Sequence, residues 1–519
     1  MRISTTQIQR SAMSSLLDQQ AQIVRVQQQL SNGKRIQTPA DDPAGAASLL
    51  GLRQSIQMTE QYQRNIDTVR TQLAQEESTL GSVTNVLDRI RELALAAANA
   101  ALSASDRNAI AVEVTQRLKD LEGLANTMTP GGEYLFAGYQ GLTRPFAVDG
   151  VGSAIYNGDS GQRLVQVSAE RRVAVSDAGV NVFMAVPRGN GRFAAVAGAG
   201  NLGSGVIDTG SVSSAFGTGS YHISFPIATA AAVPLSFNDA GNSDDLGYSL
   251  SINGVEVYQI NASGTPATTL DELATAINAN SSATGVRALI DGDTLYLSNT
   301  SSSQAPISIV ESLSGASDGD ADSVTGFFGS VLTGNADTAS IAITGGAATR
   351  YVVENDAGAA VAWGDLSSGG RISFSDGAVS GVQVNITGQP LNGDVFTLEP
   401  ASTQDMFATV GDLLVALQSG AIGAELGNTI NSFLANVDQA MERVRTVRAD
   451  VGGRLNALDT QQDINADALL RLSTARSTLE DIDYASAISL FTQQMTALDA
   501  AYKAFSQIQS INLFNYVRA

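Results

Sequence analysis

Two short motifs contain side chains whose types and spacing suit catalysis. Asp41 and Asp42 form a carboxylate pair of the kind used in acid–base chemistry, but helix capping or an ion pair with Arg35 explains the same residues. A Gly-Asp-Ser-Gly sequence at 158–161 resembles part of a serine-protease loop, for which His222, the only histidine, would have to act as the base. A loop between strands explains this second motif equally well. We therefore expect no catalytic residues and no enzyme activity.

An acidic segment at 318–322 has aspartates at alternate positions, as at the start of a calcium-binding loop. Ser323 stands where such a loop needs glycine, and Gly329 stands where it needs a bidentate glutamate. The sequence leaves open whether this segment binds calcium weakly or is a solvated turn. Because the chain has no cysteine, disulfides and thiolate ligands are excluded. Elsewhere we expect neither a metal site nor a cofactor.

Both ends of the chain have apolar side chains at helical spacing. The steps alternate between four and three residues, which is typical of helices that pack on helices. The predicted interface residues are Leu16, Ile23, Val26 and Leu30 near one end and Tyr484, Ile488, Phe491, Met495, Leu498, Tyr502 and Phe505 near the other. Packing within one molecule explains these residues, but a two-helix hairpin rarely buries its seams on both partners. We expect the ends to be mobile in the free subunit and to become ordered when neighbouring copies cover them.

Two longer helical segments lie inside these ends. Residues 44–128 follow Pro43 and the acidic pair, a favourable helix start, and continue with a heptad pattern of leucine, isoleucine and valine. Residues 403–480 repeat this pattern in a short helix at 407–417 and a long one at 426–458. Only Gly452 and Gly453, which suggest a bend or a close approach to another segment, interrupt the long helix. Because the two segments have matching lengths and seams, we expect them to pack as one bundle.

The middle of the chain has the composition of β-structure. About 260 residues are rich in Gly, Ser, Thr and Ala, with short apolar runs bounded by turn residues. One helix is predicted among them, because Thr269 and Glu272 are spaced as a capping box. Trp363 is expected to be an ordinary packing residue. We predict an α+β multidomain protein whose N- and C-terminal helices pack together as a long coiled-coil-like bundle and whose central residues form β-rich outer domains.

The net charge of −21 is distributed unevenly, with −1 in residues 1–139, −15 in 140–400 and −5 in 401–519. Such acidity disfavours nucleic acid and anionic membrane as partners, because phosphate contacts require clustered Lys and Arg. No window approaches the apolar length of a membrane span, and the N-terminus lacks the apolar core of a Sec-type signal peptide. The chain is therefore expected to be cytosolic or to be exported by a route that does not use such a signal.

Several motifs, taken in order, resemble those of the flagellin superfamily. They are LSNGKRIQTPADDPAGAA at 30–47, NTMTPGGEYLFAGYQGLTRPF at 126–146, VQVNITGQPLNGDVFTLEP at 382–400, LEDIDYASAIS at 479–489 and INLFNYV at 511–517. In the first of them, Arg35, Asp41, Asp42 and Pro43 are the family-motif residues. The prolines around the acidic pair, the Leu-Phe-Ala-Gly turn and the Leu-Phe-Asn-Tyr ending are similar to the superfamily's junction proteins more than to its flagellins.

The resemblance implies a structural subunit that joins the flagellar hook to the filament and assembles through its terminal helices. It implies secretion through the flagellar type III apparatus to the bacterial flagellum, assisted by an export chaperone. The implied partners are further copies of the chain in a ring or tube, flagellin, and the other hook–filament junction protein. Two alternatives stay open: a flagellin-type filament subunit, and an exported enzyme or adhesin displayed on flagellin-like ends.

The resemblance also divides the chain into four parts. These are terminal helices at 1–43 and 481–519, a helical bundle at 44–139 and 401–480, a β-rich domain at 140–228 and 348–400, and an inserted α+β or β domain at 229–347. SYHISF at 220–225 and TRYVVENDAG at 349–358 look like consecutive strands of the β-rich domain, so the residues between them look like an insertion. Part of that insertion, at 249–300, is similar to a repeat found in flagellins and hook-associated proteins.

Overall fold

The computed structural model describes residues 5–213, 216–228, 232–238, 246–261, 269–300, 305–315, 323–333, 336–344, 348–366, 370–374 and 380–514. The α-helices are α1 (Thr5–Asn32), α2 (Pro43–Ala97), α3 (Ala104–Ala125), α4 (Leu270–Ala279), α5 (Ser281–Thr284), α6 (Met406–Ser419), α7 (Gly423–Glu480) and α8 (Tyr484–Phe514). Two compact units are present. The first comprises Met1–Ala74, Leu164–Val175 and Gly452–Ala519, and the second comprises Gln75–Arg163 and Ser176–Val451. Long helices at both ends and strands between them confirm the predicted α+β class, whereas the four-part division stays a prediction.

The heptad pattern of α2 is buried, as the sequence predicts. Its buried members are Ile66, Val69, Leu73, Leu80, Val83, Leu87 and Ile90. In the second unit, Glu77 pairs with Arg448 at 2.6 Å and Arg91 pairs with Asp438 at 3.0 Å. Because the partner numbers fall as the α2 numbers rise, α2 and α7 run antiparallel there. Among the helices in the described ranges, none combines the length and the apolar character that crossing a bilayer requires.

Gly452 and Gly453 lie inside α7, which continues without interruption to Glu480. A Cβ atom added at either glycine would meet nothing within 4 Å. The expected close approach of another segment is therefore wrong. Each glycine costs α7 about 1 kcal/mol in helix propensity relative to alanine, and no close contact requires glycine at either position.

Replacing Gly452 or Gly453 with alanine is expected to raise the free energy of unfolding by about 1 kcal/mol, because the new methyl group meets open space. Urea unfolding followed by far-UV circular dichroism measures this change. Gly411 in α6 is the matched control, since a Cβ there would lie 2.0 Å from the carbonyl oxygen of Val151. Gly411→Ala should destabilise the protein, and a uniform effect at all three glycines would contradict this account.

The strands are β1 (Phe146–Val148), β2 (Ala154–Tyr156), β3 (Leu164–Gln166), β4 (Arg172–Ala174), β5 (Val186–Pro187), β6 (Phe193–Ala197), β7 (Val206–Ile207), β8 (Ser211–Val212), β9 (Tyr221–Ser224), β10 (Ile227–Ala228), β11 (Ser236–Asn238), β12 (Gly247–Ile252), β13 (Val255–Asn261), β14 (Val286–Asp291), β15 (Thr294–Asn299), β16 (Ile307–Ser314), β17 (Ser323–Thr325), β18 (Val331–Thr333), β19 (Thr338–Ile343), β20 (Arg350–Asn355), β21 (Ala360–Asp365), β22 (Arg371–Ser373), β23 (Val382–Thr387), β24 (Val395–Pro400) and β25 (Thr403–Gln404). The largest sheet is antiparallel and has the order β21-β20-β9-β24-β6. We call it the host sheet. It shares an apolar core with the smaller sheet β22-β23-β7.

The hairpin of β3 and β4 belongs to the first unit, among helices, although its sequence lies within the β-rich part of the chain. The amide of Asn65 on α2 donates to the carbonyl oxygen of Gln166 at 2.7 Å, and the amide of Asn465 on α7 donates to that of Val167 at 3.0 Å. Two helix asparagines thus satisfy backbone carbonyls that a hairpin this short cannot pair internally.

The predicted insertion lies between two adjacent strands of the host sheet. Strands β9 and β20 pair directly, with Val352 opposite Ser224. The inserted residues form the sheets β13-β12-β16-β19 and β11-β17-β18, add β14 and β15 to β10, and have an apolar core of their own. The predicted capping box is present at the start of α4, with Thr269 and Glu272 bonded reciprocally.

Trp363 is 48% exposed and does not pack in a core. It lies on β21, the edge strand of the host sheet, where one side of the strand has no neighbour. The expectation of an ordinary packing residue is therefore wrong. The acidic segment at 318–322 and the last three residues of the motif at 511–517 lie outside the described residues, so the calcium question stays open.

Candidate assembly interface

Helices α1 and α8 pack against each other in the first unit and run antiparallel. Gly33, just after α1, accepts a hydrogen bond from the backbone of Ile482 at 3.0 Å, and Gln20 donates to the hydroxyl of Tyr502 further along. The facing residues recur at heptad spacing. They are Ala12, Leu16, Gln19, Ile23, Val26 and Leu30 of α1 and Ala487, Phe491, Gln494, Leu498, Ala501 and Phe505 of α8. We call these twelve residues the terminal seam.

The predicted residues of α1 all lie in the terminal seam, where Leu16, Ile23 and Val26 are buried and Leu30 is half-buried. The chain itself therefore provides α1 with a helical partner. The structure does not test whether the ends are mobile in the free subunit, which stays a prediction.

The predicted residues of α8 divide between two surfaces. Phe491, Leu498 and Phe505 are half-buried in the terminal seam. The remaining four, Tyr484, Ile488, Met495 and Tyr502, are exposed by 45–54%. These four lie outside the contact with α1, because α8 turns a row of small or polar residues toward α1, and their part in assembly stays a prediction. That row, Ala487, Gln494 and Ala501, precedes the large apolar row by one residue, and small side chains permit close packing of helices.

Exposed apolar residues on α1 complete a second surface. Met13, Leu17 and Val24 are exposed by 49–58%, and each follows a seam residue by one position. Ile488, Met495 and Tyr502 have the same offset on α8. Because one residue turns a helix by 100° and the two helices are antiparallel, the same offset places both rows on one side of the pair. We call these six residues the outer stripe.

The terminal seam also contains two polar residues that are incompletely paired. The side-chain carbonyl oxygens of Gln19 and Gln494 are buried without a hydrogen-bond partner in the described structure. A buried carbonyl oxygen without a hydrogen bond is unfavourable, so these two glutamines lower the stability of the α1–α8 pair. Polar residues at seam positions of this kind fix register at the expense of stability.

The family-motif residues form the start of α2. Asp42 accepts a hydrogen bond from the backbone of Gly45 at 2.9 Å, and Pro43 is the first residue of α2, so Asp42 caps the helix. Arg35 lies 3.6 Å from Asp42. Hydrogen bonds from Thr38 hold the pKa of Asp41 below its ordinary value. Asp42 is thus used for capping and pairing, and Asp41 accepts hydrogen bonds from Thr38.

Glu480 is a charged residue of the first unit that sequence reasoning did not select. Its side chain is only 5% exposed, yet Lys34 lies 2.5 Å, Arg53 2.6 Å and Arg476 3.8 Å from its carboxylate oxygens. The hydrogen bond from Lys34, followed by that from Arg53, holds the pKa of Glu480 below its ordinary value against the effect of burial. This cluster, which we call the Glu480 cluster, ties the segment after α1 to α2 and α7.

A signal for Glu480 is present in the sequence. It is the last residue of α7, where the helix macrodipole disfavours a negative charge. An acidic residue at the end of so long a helix indicates cationic partners from elsewhere in the chain. The backbone of Arg35, which donates to the carbonyl oxygen of Glu480 at 2.7 Å, adds to the same junction.

The remaining chemical candidates have structural roles. Asp159 accepts hydrogen bonds from the backbones of Tyr139 and Gly161, at 3.0 and 2.7 Å, and so fixes a turn. His222 lies 3.2 Å from the hydroxyl of Thr397 and 3.9 Å from Asp356. Within the ranges that the structure covers, no group of three His, Cys, Asp or Glu residues could hold a metal ion.

Charge differs greatly between the two units. The first contains 15 basic and 13 acidic residues, whereas the second contains 15 basic and 38 acidic residues. Copies of the first unit can therefore approach one another with little electrostatic repulsion, whereas copies of the second repel each other.

Three family models match parts of the chain. The bacterial flagellin N-terminal helical region matches residues 3–141, the C-terminal helical region matches 434–517, and the flagellin hook IN motif matches 249–302. The first two matches include both helices of the terminal seam. The third lies in the predicted insertion and covers all of the predicted 249–300 unit.

Named relatives fall into two groups. Flagellar hook-associated protein 3 of Escherichia coli K12 is 31% identical over 183 residues, which are 35% of this chain and 57% of the relative. The chain thus spans little more than half the length of that relative. A flagellin of Salmonella choleraesuis is 22% identical over 98% of this chain and 97% of its own length.

Solved structures share the fold. Xanthomonas campestris FlgL has a TM-score of 0.54 at 22% identity, and the match covers 82% of this chain and 99% of the other. The flagellar hook associated protein-3 of Legionella pneumophila has a TM-score of 0.52 at 25% identity, with coverage of 82% and 98%. Both matches extend beyond the terminal helices into the strand-rich part of the chain.

Proposed function

We propose that this chain, whose two ends match the helical regions of bacterial flagellin, is a structural subunit of the bacterial flagellum that joins the hook to the filament. The outer stripe is the observation that carries this proposal. Six large side chains, each exposed by 45–58%, share one side of the α1–α8 pair and lie outside the terminal seam. Neighbouring copies that cover this stripe would build the wall of a ring or tube.

The charge distribution supports an assembling subunit without catalysis. The nearly neutral first unit suits close packing of many copies, and the acidic second unit suits a solvated surface that prevents unwanted association. In this proposal the chain is exported through the flagellar type III apparatus, with a chaperone, and is located on the flagellum outside the cell. Its partners there are its own copies, flagellin, and the other hook–filament junction protein.

A flagellin-type filament subunit is the second candidate. The flagellin of Salmonella choleraesuis aligns over nearly the whole chain, whereas the hook-associated relative aligns over about a third of it. Electron microscopy of a deletion strain separates the two candidates. If the deletion strain has intact hooks and releases flagellin monomers, the chain has the junction role. If the hooks keep their junction but the filament subunit is missing, the chain has the filament role.

Substitution of the outer stripe tests the mode of assembly. The double substitution Ile488→Asp with Met495→Asp is expected to reduce the number of filaments per cell at least tenfold, because two carboxylates would be buried between subunits without partners. Complementation of the deletion strain, with filaments counted by electron microscopy, provides the measurement.

The matched control is Ser489→Asp with Thr496→Asp, which adds the same charge at exposed positions one residue further along α8. Circular dichroism of each purified variant should show unchanged helix content, since neither pair of residues lies in the terminal seam. Normal filaments on cells with the stripe substitution would refute assembly through this surface.

A further inference from the structure

The inserted residues 229–347 contain 13 acidic residues and a single basic residue, Arg287. Arg287 lies on β14, and its guanidinium donates a hydrogen bond to the carboxylate of Glu354 at 2.6 Å and to the carbonyl oxygen of Gly358 at 3.4 Å. Glu354 lies on β20 of the host sheet and its side chain is 15% exposed. The one cation of the insertion is therefore used in a contact with the host sheet.

Arg350 of the host sheet forms a contact in the opposite direction. Its guanidinium lies 2.5 Å from the carboxylate of Asp291 and donates a hydrogen bond to the hydroxyl of Tyr296 at 2.7 Å. The guanidinium carbon also lies 4.8 Å from the centre of the Tyr296 ring, a cation–π geometry. Asp291 and Tyr296 belong to the inserted strands β14 and β15. We call the five residues Arg287, Glu354, Arg350, Asp291 and Tyr296 the arginine clamp.

Backbone contacts lie beside the arginine clamp. Strand β10, which follows β9, pairs with β15 so that Ala228 lies opposite Tyr296. Asn392 accepts a hydrogen bond from the backbone of Asn299 at 3.1 Å, and both residues are buried. The inserted hairpin is thus joined to the host by a strand pair and a buried amide as well as by two crossed ion pairs.

We propose that the inserted segment is a docked layer of the host domain, held in one orientation by the arginine clamp, and not a freely tethered module. Two arginines that point in opposite directions define both position and orientation, because guanidinium groups bind carboxylates with fixed geometry. Glu354 is 15% exposed, so removal of Arg287 leaves a largely buried carboxylate without its cation, whereas Arg350 pairs with Asp365 of its own sheet as well as with Asp291. This proposal does not depend on the role of the chain in the flagellum.

Charge reversal in the full chain tests the arginine clamp. Arg287→Glu is expected to speed amide exchange of residues 286–299 at least tenfold, while the fluorescence of Trp363, on the neighbouring strand β21, stays unchanged because the host sheet remains folded. The swap Arg287→Glu with Glu354→Arg is expected to restore exchange to within about threefold of the original rate, since the pair is reformed in reverse. Arg371→Glu, at an exposed arginine of β22 that contacts Gln383, is the matched control and should leave 286–299 unaffected.

A milder substitution keeps the test decisive if charge reversal disturbs folding. Arg350→Gln removes the contact with Asp291 but preserves most of the side-chain volume, and it should also speed exchange at 286–299 at least tenfold. Unchanged exchange at these residues in Arg287→Glu or Arg350→Gln, or a swap that fails to restore protection, overturns the proposal.

Discussion

Ile23→Asp is expected to separate α1 from α8 while the second unit stays folded. Ile23 is 7% exposed in the terminal seam, where its burial contributes about 2 kcal/mol and where a carboxylate would lose hydration without gaining a cation. We expect the free energy of unfolding of the helix pair to fall by about 4 kcal/mol. Amide exchange of residues 5–30 measures the loss, and the fluorescence of Trp363 reports on the second unit.

Val24→Asp is the matched control for this experiment. Val24 is the next residue of the same helix, but it is 51% exposed and belongs to the outer stripe. Its substitution should leave the helix pair intact in the isolated chain and should impair only assembly. If the two variants lose protection equally, the division between terminal seam and outer stripe is incorrect. Because the structure pairs α1 with α8 within one chain, this experiment requires residues 5–30 to be protected in the unsubstituted monomer. That protection would contradict the expectation from sequence that the ends become ordered only among neighbours, and its absence would support that expectation.

Glu480→Gln is expected to release the segment after α1 from α2 and α7. The carboxylate of Glu480 is shared by Lys34, Arg53 and Arg476, which repel one another once it is neutral. Because these cations are themselves about half exposed, the expected loss in the free energy of unfolding of the first unit is about 2 kcal/mol at pH 7, below the range for fully buried pairs. Urea unfolding followed by circular dichroism measures this loss.

The same cluster predicts a dependence on pH. The pKa of Glu480 is lower in the folded protein than its ordinary value of 4.5, so its ionised form favours folding. This contribution is complete above that ordinary pKa and is lost as the pH falls through the lower pKa of the folded state. Unfolding measured at a series of pH values from 6 to 3 should therefore show a smaller loss of stability on acidification in Glu480→Gln than in the original chain.

Asp467→Asn is the control for both measurements, since Asp467 is an exposed carboxylate on the same helix. It should change neither the stability at pH 7 nor its decline in acid. An unaltered acid response in Glu480→Gln would show that the Glu480 cluster does not couple protonation to folding.

Periodicity predicted the long helices well but did not determine which face of α8 meets α1. The buried row of α2, which includes Ile66 and Leu73, could be predicted because its residues follow one heptad pattern. Helix α8 has two candidate rows, one residue apart, and the larger side chains of Ile488 and Met495 gave the stronger sequence signal. Contact with α1 instead uses Ala487, because close approach of two helices favours small residues. A pattern of hydrophobic residues does not identify such positions.

Long-range contacts defined the rest of the candidate site, and local patterns do not reveal them. The capping of α2 by Asp42 follows from neighbouring residues and was foreseen, whereas Lys34 meets Glu480 across more than four hundred residues of sequence. The same limit applies to the hairpin held by Asn65 and Asn465. Its first strand lies in a short apolar run at 164–167, but the place of the hairpin among helices depends on side-chain amides that lie far away in the chain.

The pairing of β9 with β20 has a consequence for how this chain can change over evolution. Neighbouring antiparallel strands lie about 5 Å apart, so the point of insertion imposes almost no limit on the length of what is inserted. The composition of the insertion is restricted, because Arg350 and Glu354 of the host strand contact the inserted hairpin. A lineage that loses or exchanges the insertion must also replace these two host residues, and so the insertion and the strand that receives it are expected to be inherited together.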